Sequence, residues 1–516
     1  MEINTKICPF ETVYSDKCEI ENETEYSLSE YMPNIQRIVK TDARVKILDK
    51  SVEHDGVTIY GEIVYTVLYV SENSGLLKCV VFKDDFSKSF DFPIPAERDL
   101  ENLYVLVRTV PPSASSKLSA QRKICSRSKF MLSCEVIDIS QDTYCRDSDE
   151  TPDCEIEYLR KDIMNASVRI SEDNPYNISE DIKVDDDMPE ISDIVSAEAS
   201  VCIKSISHSD GIADISGELT FHCLYESKTG ETSEYVSMEK AIPFKTEIDI
   251  PGTDSSWKII AEANLMSLSA DSTSDNFGEQ KLINVGAGID ITAMAFKNEE
   301  CTIFTDIYST ECCIEPERKN IRVLSLADAF TGILEFADRI KFELRGITDI
   351  VSSSLRMSFG NPEFSEGYVF IPARGLLSVL GMKENGEIES QTSVVNIKIL
   401  AENIPYSLSG NKLRWYNLSS VCRYECELIS GELVLRLWVN ENCAALNEEN
   451  IEIISGYSKC EGGKSCRKSG FTLYYPQAGE SVWKVAKDHF VSCERLRAEN
   501  GIEGEFFDGK KAVILH

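Results

Sequence analysis

The chain has 516 residues, a formal net charge of −34 and a 42% hydrophobic content, enough length and apolar material for three or four packed domains. The acidic balance excludes nucleic acid and anionic membrane surfaces as natural partners, because both would be repelled. No stretch approaches the roughly 18 apolar residues needed to cross a bilayer, and Met1-Glu2-Ile3-Asn4-Thr5-Lys6 has no basic region leading into an apolar run, so the cytoplasm is the default compartment, with no direct membrane insertion.

Read in chain order, the body repeats itself. Ile38-Val39 recurs as Ile194-Val195 and again as Ile350-Val351, a step of 156 residues each time (38 to 194, 194 to 350). The register then holds downstream. Val45 and Ile47 match Val201 and Ile203, then Met357 and Phe359; Tyr65, Val67 and Leu68 match Phe221, Cys223 and Leu224, then Leu377, Val379 and Leu380. Gly61-Glu62 matches Gly217-Glu218, and the third copy departs with Ala373-Arg374. Solenoid units run roughly 20–50 residues, so a period this long means tandem domains, each with its own core.

The matched positions alternate at i and i+2, the period of a strand. The segment 56–69 is rich in β-branched and aromatic residues. Turns follow at Asn73-Ser74-Gly75, Lys228-Thr229-Gly230 and Glu384-Asn385-Gly386, and Ser430-Gly431 separates the strand pair that closes the third copy. The expected fold is therefore mainly β: three tandem antiparallel repeats, each a sandwich or open barrel, over 1–148, 149–312 and 313–456. Weak helical periodicity is confined to 324–336 and 97–103. The acidic loops at 181–190 and around Asp271, Asp275 and Gly278 lack the alternating acids and glycine of a calcium loop and read as solvated turns.

A basic linker is expected at 457–469, where Lys459, Lys464, Arg467 and Lys468 cluster, and a separate module at 470–516. The module carries seven Asp/Glu and six Lys/Arg, so the acidity lies on the body. Ser481 reads as an N-cap whose oxygen can accept an orphan N–H of the first helical turn, and Ser492 opens a second helix. Asn500-Gly501 closes that helix with a left-handed cap, and Val513-Ile514-Leu515 supplies a last strand. Trp483, Val485, Ala486 and Leu496 form the expected core of this β-α-α-β unit.

Catalytic motifs are missing. There is no G-x-S-x-G elbow, phosphate loop or H-E-x-x-H. His222, in the central strand of the second copy opposite Thr66 and Ser378 of the others, reads as a surface-facing strand residue. Eighteen cysteines are scattered without a C-x-x-C pair, and the spacing of Cys312-Cys313, Cys422/Cys426 and Cys460/Cys466 fits no zinc site. Most should be small buried thiols in a reducing compartment. No enzyme activity, cofactor or metal is expected.

The strand, helix, helix, strand order of 470–516 resembles a LysM module. In that family N-acetylglucosamine-containing glycan lies in a shallow groove between two loops, which here are Gln477, Ala478, Gly479, Glu480 and Ser481, and Asn500, Gly501, Ile502, Glu503 and Gly504. The sequence departs from the family at Glu480, where Asp is usual, and at Pro476. Protein binding by the same loops is the other expectation. Gly61-Glu62-Ile63-Val64-Tyr65-Thr66-Val67-Leu68-Tyr69 and Gly217-Glu218-Leu219-Thr220-Phe221-His222-Cys223-Leu224-Tyr225, followed by one such module, resemble the SPOCS-domain/LysM proteins of spore-forming bacteria. The resemblance implies a scaffold in spore coat morphogenesis. Such a scaffold is made in the mother cell, placed at the forespore surface, and partnered by the stage IV sporulation morphogenetic ATPase and other coat proteins, with peptidoglycan the alternative ligand. It also implies a minor role for cysteine cross-linking in the mature coat.

Overall fold

The computed structural model describes residues 5–7, 11–96, 98–140, 142–144, 155–229, 232–460 and 472–515. The described body is built from antiparallel strands, and none of its sheets closes into a barrel. Each repeat follows one plan. A three-stranded meander forms one sheet: Ile35–Glu53, Gly56–Ser71 and Leu77–Asp91 in the first repeat, Asp193–Ser209, Ile212–Thr229 and Thr232–Asp249 in the second. In the third, Ile347–Phe359, Tyr368–Lys383 and Ile388–Leu400 take these places.

The facing sheet pairs a strand that enters the repeat with the strand that leaves it. Glu11–Ser27 pairs with Lys123–Asp138, Ile156–Lys183 with Leu282–Ser309, and Ile314–Ile340 with Glu432–Lys459. Side chains of both sheets share one core in every repeat, as in a sandwich. Tyr65, Phe221 and Leu377, equivalent positions of the three central strands, are all fully buried; truncating one to alanine costs about 3–5 kcal/mol.

Two local devices explain the repeated sequence signals. The first is the Ile-Val pair. Ile38 pairs with Tyr69 and Lys40 with Leu68, so Val39 is the extra residue of a β-bulge. Val195 and Val351 occupy the same bulge in the other two copies. A bulge turns a side chain off the regular alternation, which is why the pair recurs without a gap.

The second device is the Gly-Glu pair. Gly61 lies opposite Phe86, and a Cβ there would meet the ring at 2.5 Å and the Lys46 carbonyl oxygen at 2.6 Å. Gly217 stands in the same relation to Phe244 and the Cys202 carbonyl. In the third repeat the cross-strand partner is Ile397, and Ala373 takes the glycine's place. The closing hairpin turns at Ser430 and Gly431, both with positive φ, as a two-residue turn between twisted strands requires.

The helical segments expected in the body are not helices. Residues 324–336 lie inside the strand Ile314–Ile340, because nearly every residue there finds a partner in Glu432–Lys459, and that pairing overrides a short apolar periodicity. Around 97–103 only the 3₁₀ turn Leu100–Asn102 forms, capped by Asp99; Glu97 lies outside the described residues. The last strand of the third repeat runs on to Lys459, so the first residues of the expected linker are paired backbone; 461–469 lie outside the described residues.

The repeats are not beads on a string. Val39, Val195 and Val351, with Leu68, Leu224 and Leu380, meet in one apolar cluster. Since these are equivalent positions of three copies, the repeats surround a common axis. A second shared cluster joins Leu106 and Ile137 to Val168, Ile260 and Phe296, and to Leu324, Tyr416 and Leu446.

Next to the first cluster sits Lys40, whose ammonium lies 2.7 Å from Asp42, 3.5 Å from Glu198 and 2.8 Å from the Ser354 hydroxyl. Asp42, Glu198 and Ser354 are themselves one period apart. Burial opposes the charge on Lys40, yet Glu198 and Asp42 hold its pKa above the ordinary range. Three equivalent polar positions of the repeats thus meet one lysine on the axis.

Arg44 donates to the Ala199 carbonyl and Arg356 to the Ala43 carbonyl, tying the first repeat to its two neighbours. Between the second and third, a Cys202–Cys422 disulfide and the bond from Thr220 to the Cys422 carbonyl make the link. Most described cysteines are thiols, as expected, with this disulfide the exception; of the twelve thiols, Cys134, Cys223 and Cys443 are buried and the others half-buried. His222 lies in the same interface and not on the surface. Its ring is 3.5 Å from Glu239 and 5.6 Å from the Tyr424 ring, and burial lowers its pKa.

Candidate binding module and its seat on the second repeat

The C-terminal unit has the order read from the sequence: strand Thr472–Tyr474, helix α1 (Val482–His489), helix α2 (Cys493–Asn500), strand Val513–Leu515. Val485, Ala486 and Leu496 are buried with Val482, Val513 and Leu515, forming its small core. Ser481 and Ser492 stand at the N-cap positions with extended backbone, but neither side chain makes the capping bond. The C-cap of α2 is as expected, with Gly501 left-handed at φ 63°.

Trp483 packs half-buried against that core and also reaches beyond the module. Its indole N–H donates to Asp306 at 2.9 Å, and its ring meets Tyr308 edge-on at 4.9 Å. Lys487, one turn further along α1, donates to both oxygens of Asp306, at 2.6 and 2.7 Å. The Tyr308 hydroxyl, buried in the contact, donates to the Val491 carbonyl at 2.7 Å. Asp306 and Tyr308 belong to the last strand of the second repeat, and Arg318 of the third repeat approaches Asp306 at 3.1 Å. One carboxylate therefore gathers the second repeat, the third repeat and the module. Burial would raise its pKa, but the bonds from Lys487 and Trp483 outweigh burial and hold it below the usual carboxylate range. Sequence reasoning missed Asp306 and Tyr308, because nothing local marks a strand-end Asp-Ile-Tyr as a docking site.

The two candidate loops lie on the part of the module left open. Backbone bonds tie the first loop to the segment that follows the second: Gly479 N–H to the Phe507 carbonyl at 2.8 Å, Phe507 N–H to the Glu480 carbonyl at 2.9 Å, and Val482 N–H to the Glu505 carbonyl at 2.9 Å. Gln477, Ala478, Gly479, Gly501, Glu503 and Gly504 are exposed; Ser481 and Ile502 are half-buried. Glu480 is committed to the loop itself, accepting from the Tyr474 hydroxyl at 2.9 Å and the Gln477 N–H at 3.0 Å. Asn500 is committed likewise, exchanging bonds with the Ile514 backbone at 2.7 and 2.8 Å. Exposed aromatic side chains, Tyr475 and Phe506, flank the loops.

Elsewhere the acidic loops are held by lysines. Lys240 reaches Asp185 at 2.8 Å and Lys183 reaches Asp186 at 2.6 Å, while the Asp275 side chain accepts from the Phe277 and Glu279 N–H groups. Among the described residues no cluster of His, Cys, Asp and Glu is placed to hold a metal ion, and no helix is long and apolar enough to cross a membrane.

Sandwich repeats fused around an axis, with a small helical module seated on one of them, define a repeat-built protein whose distinctive surface is the module. Its first two repeats carry the SipL SPOCS domain: the family profile matches residues 34–107 and 190–273, stretches that begin one repeat period apart. The chain thus carries two SPOCS domains of the SipL type, a domain family that implies a sporulation-related protein. Each matched stretch covers the meander sheet and the next strand or so, and the long entering and leaving strands that complete the sandwich lie outside it. No curated protein matches the chain.

Proposed function

We propose that this protein is a non-enzymatic scaffold and adaptor in spore coat assembly. The three fused repeats form the rigid body. The C-terminal module, read as a LysM module, binds the coat morphogenetic ATPase of stage IV sporulation, and other coat proteins attach to the body at the forespore surface. The observation that carries the reading is the seating of the module. One face, Trp483 and Lys487, is spent on Asp306 and Tyr308, while the two loops at 477–481 and 500–504 stay exposed on a fixed base. A binding element held this way keeps little orientational freedom to lose on association.

Tyr475 and Phe506 beside the loops favour a second reading, in which the aromatic faces stack on peptidoglycan sugars. Binding of the full chain to the purified ATPase and to peptidoglycan, measured in parallel, separates the two. The adaptor reading expects ATPase binding that falls at least tenfold in Gln477→Arg and Glu503→Arg, with no co-sedimentation on peptidoglycan. Sedimentation with glycan and no ATPase binding would establish the second reading instead.

A further inference from the structure

The longest strand pair of the third repeat ends at two thiols. The ladder between Ile314–Ile340 and Glu432–Lys459 runs to the pair Ile314 and Lys459, and the next residues across are Cys313 and Cys460. The Cys460 N–H donates to the Cys313 carbonyl at 3.1 Å, so the backbones remain in register. The two sulfurs lie 2.8 Å apart, and both residues are half-buried, so a small reagent can reach them. A disulfide needs sulfurs about 2.05 Å apart and Cα atoms within about 7 Å, a small adjustment from this geometry. Cys134, Cys223 and Cys443 make the contrast: they are buried in cores, out of reach of such a reagent.

We propose that Cys313 and Cys460 are a redox modification site, a clasp that a small-molecule disulfide closes across the ends of the third repeat. The chemistry is two-step exchange. One thiolate attacks the oxidant, forming a mixed disulfide and releasing one small thiolate. The second thiolate then displaces the other small thiolate, so the protein loses two electrons and two protons and the oxidant becomes two thiols. The closed bond joins residues 147 apart in sequence and encloses the repeat. It also fixes the point from which the chain departs toward the module. A clasp of this kind stays open in a reducing mother cell and closes in an oxidising setting.

The test uses the full chain exposed to oxidised glutathione, alkylated and mapped by mass spectrometry. The clasp predicts a Cys313–Cys460 linked peptide, lost alkylation at both residues, and reversal by dithiothreitol. In Cys313→Ser and Cys460→Ser the remaining thiol should instead hold glutathione as a mixed disulfide. The oxidised wild type should also melt a few degrees higher than the reduced form, a rise absent in Cys460→Ser. Linkage of Cys460 to Cys466, a bond within Cys312-Cys313, or full alkylation of both residues after oxidation would overturn it.

Discussion

The indole N–H of Trp483 donates to Asp306 across 177 residues of sequence, joining the first helix of the C-terminal module to the last strand of the second repeat. The module follows the third repeat in the chain yet sits on the second. This contact converts a tethered binding unit into part of one body.

Replacing Asp306 with Asn should loosen the seat, since Lys487 would lose its counter-ion and Trp483 a charged acceptor. The expected cost is about 1.5–3 kcal/mol. Cleavage by protease between the third repeat and the module should become several-fold faster, while the melting of the repeats stays near that of the parent. The pH dependence has a definite sign. The folded pKa of Asp306 is depressed, so its contribution is complete above the ordinary Asp value of about 3.9 and is lost as pH falls through the lower folded value. Proteolytic protection of the junction should therefore persist to about pH 4 and fail below it, and the Asn variant should lack that step.

Lys40→Met should be among the most damaging single changes in the body. It leaves Asp42 and Glu198 facing each other's charge beside the axis, with Arg356 at 3.9 Å from Asp42 as partial compensation. Breaking one partner of a buried ion set costs about 3–5 kcal/mol. Chemical denaturation should register that loss, and Lys40→Met with Glu198→Gln should recover part of it. Equal stability of the single and double variants would mean the charges do not couple.

Gly217→Ala should destabilise by about 1–3 kcal/mol through overpacking against Phe244 and the Cys202 carbonyl. Adding Phe244→Ile imitates the Ala373 and Ile397 pair of the third repeat and should restore much of the melting temperature. A double variant no better than the single would mean that the backbone contact, and not the ring, sets the limit.

Reducing the Cys202–Cys422 bond, or replacing both residues with Ser, should weaken the junction of the second and third repeats by about 2–4 kcal/mol. Hydrogen exchange should rise along Ser420–Ile429 and at Thr220, with little change in the first repeat.

Much of this architecture was legible in the sequence because it is written in apolar residues at a fixed period. Val39, Leu68 and Tyr65 and their counterparts announce strands, repeats and cores, and the turn glycines Gly75, Gly386 and Gly431 mark hairpins, while Gly230 lies outside the described residues. The order of elements in the module followed from Ser492, Gly501 and the flanking apolar runs. What escaped was set by contacts between distant segments. The periodicity at 324–336 yielded to a strand partner more than a hundred residues away. His222 is half-buried because Tyr424 of another repeat covers it. The role of Trp483 depends on Asp306, and its helical spacing with Ala486 reads equally well as core. Within the candidate loops, the sequence could not distinguish Glu480 and Asn500, which hold the loops in shape, from Gln477 and Glu503, which face outward.

Hydrogen exchange on the full chain, with and without the purified morphogenetic ATPase, tests the adaptor account most directly. The account predicts new protection at 477–481 and 500–507, with the seat at Asp306, Tyr308 and α1 unchanged. Protection confined to the repeats, or loss of protection along α1 on binding, would contradict it.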